Sequence, residues 1–224
     1  MSMLSYDFMQ RALIAAALVG LLAPLIGVFL VQRRLALLGD GMGHVALTGV
    51  GLAFLLGTAP IPTAMATAAA GAFLIEFIRY RSRTAGDVAL ALLFYGGIAG
   101  GVLFASLAPG KASSSLNAYL FGSLSTVASG DVIALLALCL LVIALLAVFG
   151  REMFAMSLDA DLAAVQGIRV RMMSTLLAVL AAVVVVVGMR VVGLLLVSAI
   201  MIVPVAAAQQ ITRSFRATTA LAVL

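Results

Sequence analysis

The sequence predicts an all-α fold, a polytopic transmembrane helical bundle of at least seven spans and a partial eighth, and three observations carry this. Hydrophobic residues make up 65% of the 224 residues and charged residues only 9%, against about 25% charged in soluble domains. The apolar residues fall into runs of roughly the 20 residues that a helix needs to cross a bilayer. The 13 Lys and Arg residues stand at the ends of these runs, where they orient a chain in a membrane. The net charge of +5 is thereby accounted for without a nucleic-acid partner, and the lipid bilayer is the expected surrounding.

The runs are, in order, Phe8 to Val31, Leu35 to Leu56, Ile61 to Ile78, Val88 to Leu107, Val132 to Phe149, Met172 to Gly188 and Val191 to Ile211. The first is too long for a leader's apolar region and has no basic stretch before Arg11, so it is expected to span. Ala217 to Leu224 begins a further run too short to span, and C-terminal spans are expected to be missing from the chain. Pro24 and Pro204 lie inside spans, where kinks are expected. No linker divides the chain, so residues 1–224 are expected to form one transmembrane domain.

Counting basic residues beside each run orients the chain. With the N-terminus outside, the inner side receives Arg33, Arg34, Arg79, Arg81, Arg83, Arg151, Arg169, Arg171, Arg213 and Arg216. The outer side receives only Arg11, Lys111 and Arg190. The expected location is the cytoplasmic membrane, multi-pass, N-terminus outside. On the outer side, polar Lys111 to Asn117 precedes a short apolar stretch, Ala118 to Leu124, which reads as a re-entrant or interfacial segment. On the inner side, about 150–171 is the longest polar stretch.

An ionisable residue within a span costs about 2.5–3.5 kcal/mol on insertion scales and is a functional candidate by default. Most of the acidic residues sit at span ends or in loops. Glu76 lies one turn from inner arginines and is expected to pair with Arg79 or Arg83. Asp40 is different: it lies inside the second span, and the chain's single histidine, His44, follows four residues later. On a helix this spacing puts both side chains on one face, about 6 Å apart along the axis. Carboxylate and imidazole are both ligands for zinc and manganese; equally, the two side chains could bond each other or a neighbouring helix. Glycines at 39, 41, 43, 49 and 51 thin this helix for close approach. Two ligands leave a zinc shell incomplete, and a two-fold dimer would bring together four. An open shell suits an ion that must leave as readily as it enters.

The remaining features read as packing. Gly96/Gly100 and Gly97/Gly101 have the small-xxx-small spacing of a close helix contact. Cys139, the single cysteine, reads as a small packed hydrophobe. In the inner loop, Asp159 can cap a short helix, Gly167 can end it, and Leu162, Val165 and Ile168 give it an apolar side. Such a helix could dock a soluble partner or rest on the bilayer surface. No Gly-rich lysine loop for nucleotide occurs in the chain.

Taken in order, several blocks resemble the ZnuB-like membrane subunits of zinc- and manganese-uptake ABC transporters. Met9-Gln-Arg-Ala12 opens the first span, and Leu37-Leu-Gly-Asp40-Gly-Met-Gly-His44 is similar to the family's Met-Gly-Asp-x-x-Ser-His block. Tyr119-Leu-Phe-Gly-Ser123 resembles its outer segment. Asp159-Ala-Asp-Leu-Ala-Ala-Val-Gln-Gly167 resembles its cytoplasmic Asp-x-Glu-x-Ala-x-x-x-Gly loop, and Val192 through Pro204 a block near the C-terminal side. Gly43 stands where the family often has Ser. The resemblance implies an ABC importer permease in which Asp40 and His44 coordinate the transported metal, zinc first and manganese or iron as alternatives. It implies that Asp159, Ala163 and Gly167 mark the element coupled to a separate ATP-binding subunit. It also implies an extracytoplasmic metal-binding protein and a second permease copy as partners, no permanently bound cofactor, and no covalent chemistry by this chain. A proton-coupled secondary carrier and a permease for larger chelates are the rival readings. An intramembrane metalloprotease is disfavoured, since no His-Glu-x-x-His motif occurs.

Overall fold

A computed structural model describes residues 6–81, 86–109, 112–123 and 127–224. Among these, the regular structure is helical: α1 (Asp7–Gln32), α2 (Ala36–Leu56), α3 (Pro60–Arg81), α4 (Gly86–Leu107), α5 (Ala112–Phe121), α6 (Ser129–Leu158), α7 (Ala160–Val165), α8 (Val170–Val191), α9 (Leu194–Ile211) and α10 (Phe215–Val223). Seven of them, α1, α2, α3, α4, α6, α8 and α9, are long and apolar enough to cross a membrane, matching the seven runs. Residues Arg83, Lys111 and Leu124 of the sequence argument lie outside the described residues. The nine-residue α10 is too short to span.

The bundle is organised around α2. It packs most extensively on α4, then on α3, and is also contacted by α8, α9 and α1. Its glycines make this possible. A Cβ at Gly49 would overlap Thr67 of α3, one at Gly43 would overlap Leu194 of α9, and one at Gly51 would come within 2.7 Å of the Gly101 carbonyl on α4. In lipid, where apolar transfer supplies little force between helices, such close backbone approach is what holds them together. The α4 pairs behave as read, though unequally: Gly97 and Gly101 face α2, Gly100 meets the Thr48 side chain, and Gly96 has nothing near it. Large apolar side chains point outward on the spans, among them Leu92, Tyr95 and Val102 of α4 and Ile133 and Leu140 of α6.

The arginine-rich end is tied together by specific contacts. The Arg33 guanidinium donates to Ser174 Oγ at 2.7 Å, joining the α1–α2 turn to α8. Glu76, 8% exposed, pairs with Arg79, the first of the two partners expected for it. Burial and then the neighbouring Arg79 charge hold the Arg33 pKa below its usual value, with the Glu76 carboxylate opposing them. Phe215 packs on Phe29 and Phe154, with ring centroids 5.2 and 4.7 Å away, so α1, α6 and α10 meet at this end.

Two local expectations need correction. The fifth span does not end at Phe149: α6 continues unbroken through Arg151 and Glu152 to Leu158. At 1.5 Å per residue it is about 45 Å long, well beyond a hydrocarbon core of about 30 Å. The polar residues are good helix formers, and Met153 and Met156, 0% and 2% exposed, pack the extension onto the bundle. The loop expected from 150 to 171 is therefore mostly helix. On the opposite side, the segment expected at 118–124 is the helix α5, which begins at Ala112 within the polar run and stops at Phe121.

Candidate metal site

Asp40 and His44 occupy successive turns of α2, with Asp40 Oδ1 3.8 Å from His44 Nε2. That separation is an ion-pair distance and too long for a hydrogen bond. The side chains are 31% and 10% exposed, so the imidazole is nearly enclosed while the carboxylate opens to one side. His44 Nδ1 is buried without a hydrogen-bond partner. The imidazole stands edge-on to Phe94 of α4, centroids 4.4 Å apart. Gly97 permits that approach, since a Cβ there would lie 2.7 Å from the His44 carbonyl carbon. One turn further along, Thr48 Oγ1 donates to the Gly97 carbonyl at 2.7 Å and fixes α4 against α2.

The sector that the pair faces follows from α2's neighbours. Gly39 and Gly43 are set against Met201 and Leu194 of α9, whereas Gly41 lies toward Leu93 of α4. A step of about 100° per residue places Asp40 and His44 between those two directions. They stand on the flank of α2 between its α9-facing and α4-facing sides. Just past the end of α5, Gly122 meets Gly193 at the start of α9 backbone to backbone. A Cβ at either would overlap the other strand of chain, and both have positive φ, +72° and +89°. Glycine is the residue that tolerates both demands.

Among the described residues no group of three or more His, Cys, Asp and Glu side chains converges. The Asp40–His44 pair offers one carboxylate and one imidazole, two donors where a tetrahedral shell takes four. Phe94, Gly97 and Thr48, which set the position of His44, were not singled out from the sequence as belonging to the site. The small-xxx-small pattern in α4 was the available signal, but it does not name the helix it meets.

The second candidate group lies elsewhere, at the arginine-rich end. Asp159 is the N-cap of α7: its Oδ1 accepts from the Asp161 and Leu162 amides at 2.9 and 3.0 Å. Gly167 has φ +85°, and the bonds Gly167 N–H to Ala164 O (3.0 Å) and Ile168 N–H to Ala163 O (3.1 Å) close the helix in a Schellman motif. The expected apolar side is only partly turned inward. Ala163 is the residue that anchors α7, at 1% exposed, while Leu162 and Val165 stand 57% and 85% exposed. A six-residue helix is too short to bury a stripe, so its small residue packs and its large ones project. Cys139 is buried, as read.

A membrane-spanning helical bundle with a polar pair in its central helix, and a capped short helix projecting at its basic end, has the build of a transport permease. The chain belongs to the ABC 3 transport family, whose model matches residues 5–224. It is 33% identical to the manganese transport system membrane protein MntC of Listeria innocua, over 94% of this chain and 74% of that protein. It is 32% identical to the zinc transport system membrane protein TroC of Treponema pallidum, over 96% of this chain and 75% of that one. Among solved structures it is similar to PsaBC from Streptococcus pneumoniae in complex with Fab, with a TM-score of 0.84 and 30% identity, covering 98% of this chain and 78% of that one.

Proposed function

We propose that this chain is the translocating subunit of an ATP-driven importer for a divalent transition metal, in which Asp40 and His44 bind the ion in transit. The observation that carries the reading is the pair itself. A carboxylate and an imidazole with a buried, unpartnered Nδ1 share one face of the helix at the centre of the bundle. Leaving such groups within a span costs free energy that packing does not return, and a cation in transit supplies the missing partner. A second copy of the chain, related by a two-fold axis, would complete a four-ligand shell. The cargo is of the zinc–manganese class. Zinc is the metal read first from the sequence, but an oxygen and a nitrogen donor suit manganese equally, and relatives named for each metal match at nearly equal identity.

The membrane orientation follows the basic residues, with the N-terminus outside and α7 in the cytoplasm. There Leu162 and Val165 would seat in a separate ATP-binding subunit, with an extracytoplasmic metal-binding protein delivering the ion at the α5 end. The chain itself performs no covalent chemistry. The test is uptake of radioactive zinc and of manganese by membranes carrying the whole complex. Asp40→Ala and His44→Ala should each abolish uptake while the protein still inserts and binds its ATPase. Normal uptake of either metal by both variants would reduce the pair to a structural role.

A further inference from the structure

We propose that Ser198 is a third metal-facing donor at the same site, contributed by α9 beside the Asp40–His44 pair, and that it sets which metal the site passes. The inference rests on the reading of that pair as the transit site. Two buried side-chain polar atoms lack a hydrogen-bond partner among the described residues: His44 Nδ1 and Ser198 Oγ. A hydroxyl within a helix has an easy remedy, donation to the carbonyl four residues back. Ser157, Thr175 and Thr212 all take it; Ser198 does not.

Its position in α9 is defined by its neighbours. Leu194 and Met201 pack against Gly43 and Gly39, so the numbering falls along α9 as it rises along α2, and the helices are antiparallel. Ser198 lies between those two contacts and is therefore level with residues 39–43 of α2. At about 100° per residue, Val197 and Ser198 fall on opposite flanks of the Leu194–Met201 line. The Val197 flank is occupied: a Cβ at Gly188 of α8 would lie 2.8 Å from Val197 Cγ2 and 3.5 Å from Val19 Cγ1 of α1. Ser198 consequently turns the other way, toward the flank of α2 that carries Asp40 and His44. A hydroxyl oxygen there can accept a metal-bound water or bind the ion directly. A neutral oxygen added to a carboxylate and an imidazole moves the site toward the oxygen-rich sets that manganese prefers over zinc.

The test has two arms in the complete transporter. The first measures placement without transport: in a Cys139→Ala background, an Asp40→Cys and Ser198→Cys pair is treated with a bimane that fluoresces only after joining two thiols. Joining is expected, and a failure to join overturns the placement whatever the cargo. The second measures zinc and manganese uptake side by side. Ser198→Ala should lower manganese uptake about 10-fold, the scale on which a metal site responds to loss of a supporting group, and Ser198→Thr should retain it. Ser198→Cys should raise the ratio of zinc to manganese uptake, because a sulfur donor is softer. An unchanged ratio in both Ser198→Ala and Ser198→Cys overturns the donor role. Should Asp40→Ala and His44→Ala transport normally while the thiols still join, the fault lies in the functional reading and not in the position of Ser198.

Discussion

Arg190 Nη1 stands 3.0 Å from Asp131 Oδ1, tying the end of α8 to the start of α6 at the end of the bundle remote from the arginine cluster. The other carboxylate oxygen, Asp131 Oδ2, accepts the Ala128 amide at 2.9 Å, so one side chain both starts α6 and holds it to its neighbour.

The two roles separate by mutation. Asp131→Ala removes the pair and the helix-start bond, whereas Arg190→Ala removes only the pair. Arg190 is about half exposed, so the pair alone contributes no more than about 1 kcal/mol, and the lost helix-start bond about 0.5–2 kcal/mol more. Thermal unfolding in detergent should therefore rank Asp131→Ala below Arg190→Ala, with little further loss in the double variant. Equal losses from the two single variants would show that the amide bond contributes nothing.

Gly97 is where α4 touches the backbone of His44, whereas a Cβ on Gly96 beside it would meet open space. Gly97→Val should force α2 and α4 apart at an overpacking cost of about 1–3 kcal/mol, displace His44 and abolish uptake. Gly96→Ala should unfold no lower, and slightly higher if anything since alanine is the better helix former, and transport normally. If Gly97→Val transported as well as Gly96→Ala, the contact beneath the imidazole would be dispensable.

Gly167 has no atom near its absent Cβ, so a side chain there meets only backbone strain. Holding a β-branched residue at φ +85° costs about 1–2 kcal/mol and should unwind the end of α7. Gly167→Val is expected to lower uptake and to uncouple ATP hydrolysis from the loaded binding protein, leaving metal binding at Asp40 and His44 intact. A bifunctional reagent attached at Ala164→Cys should capture the ATP-binding subunit. Absence of that product in an active complex would remove α7 from the coupling interface.

The orientation is checked by single cysteines in a Cys139→Ala background. Thr58→Cys, exposed after α2, should react with an impermeant maleimide on intact cells. Ala164→Cys, exposed on α7, should react only after permeabilisation. The reverse pattern would invert the bundle in the membrane and put α7 out of reach of any cytoplasmic partner.

The sequence alone determined the count and order of the spans, the segregation of basic residues to one end, the capped element at Asp159 to Gly167, and the shared helical face of Asp40 and His44. All of these are local properties: hydropathy over a window, charge at a run's ends, and the 3.6-residue turn that brings i and i+4 together. Tertiary structure decided the rest, for a physical reason particular to this class of chain. A helix that is apolar nearly all round has no stripe to reveal its inward face, so nothing in α4 announced that Gly97 and Gly101, and not Gly96, would meet α2. Nor could hydropathy show that α6 runs on past Phe149, because Met153 and Met156 hold that extension by packing against distant parts of the chain. The approach of α9 to α2 arises in the same way: Leu194 and Met201 reach Gly43 and Gly39 across more than 150 positions of chain, and only the packed bundle sets that contact.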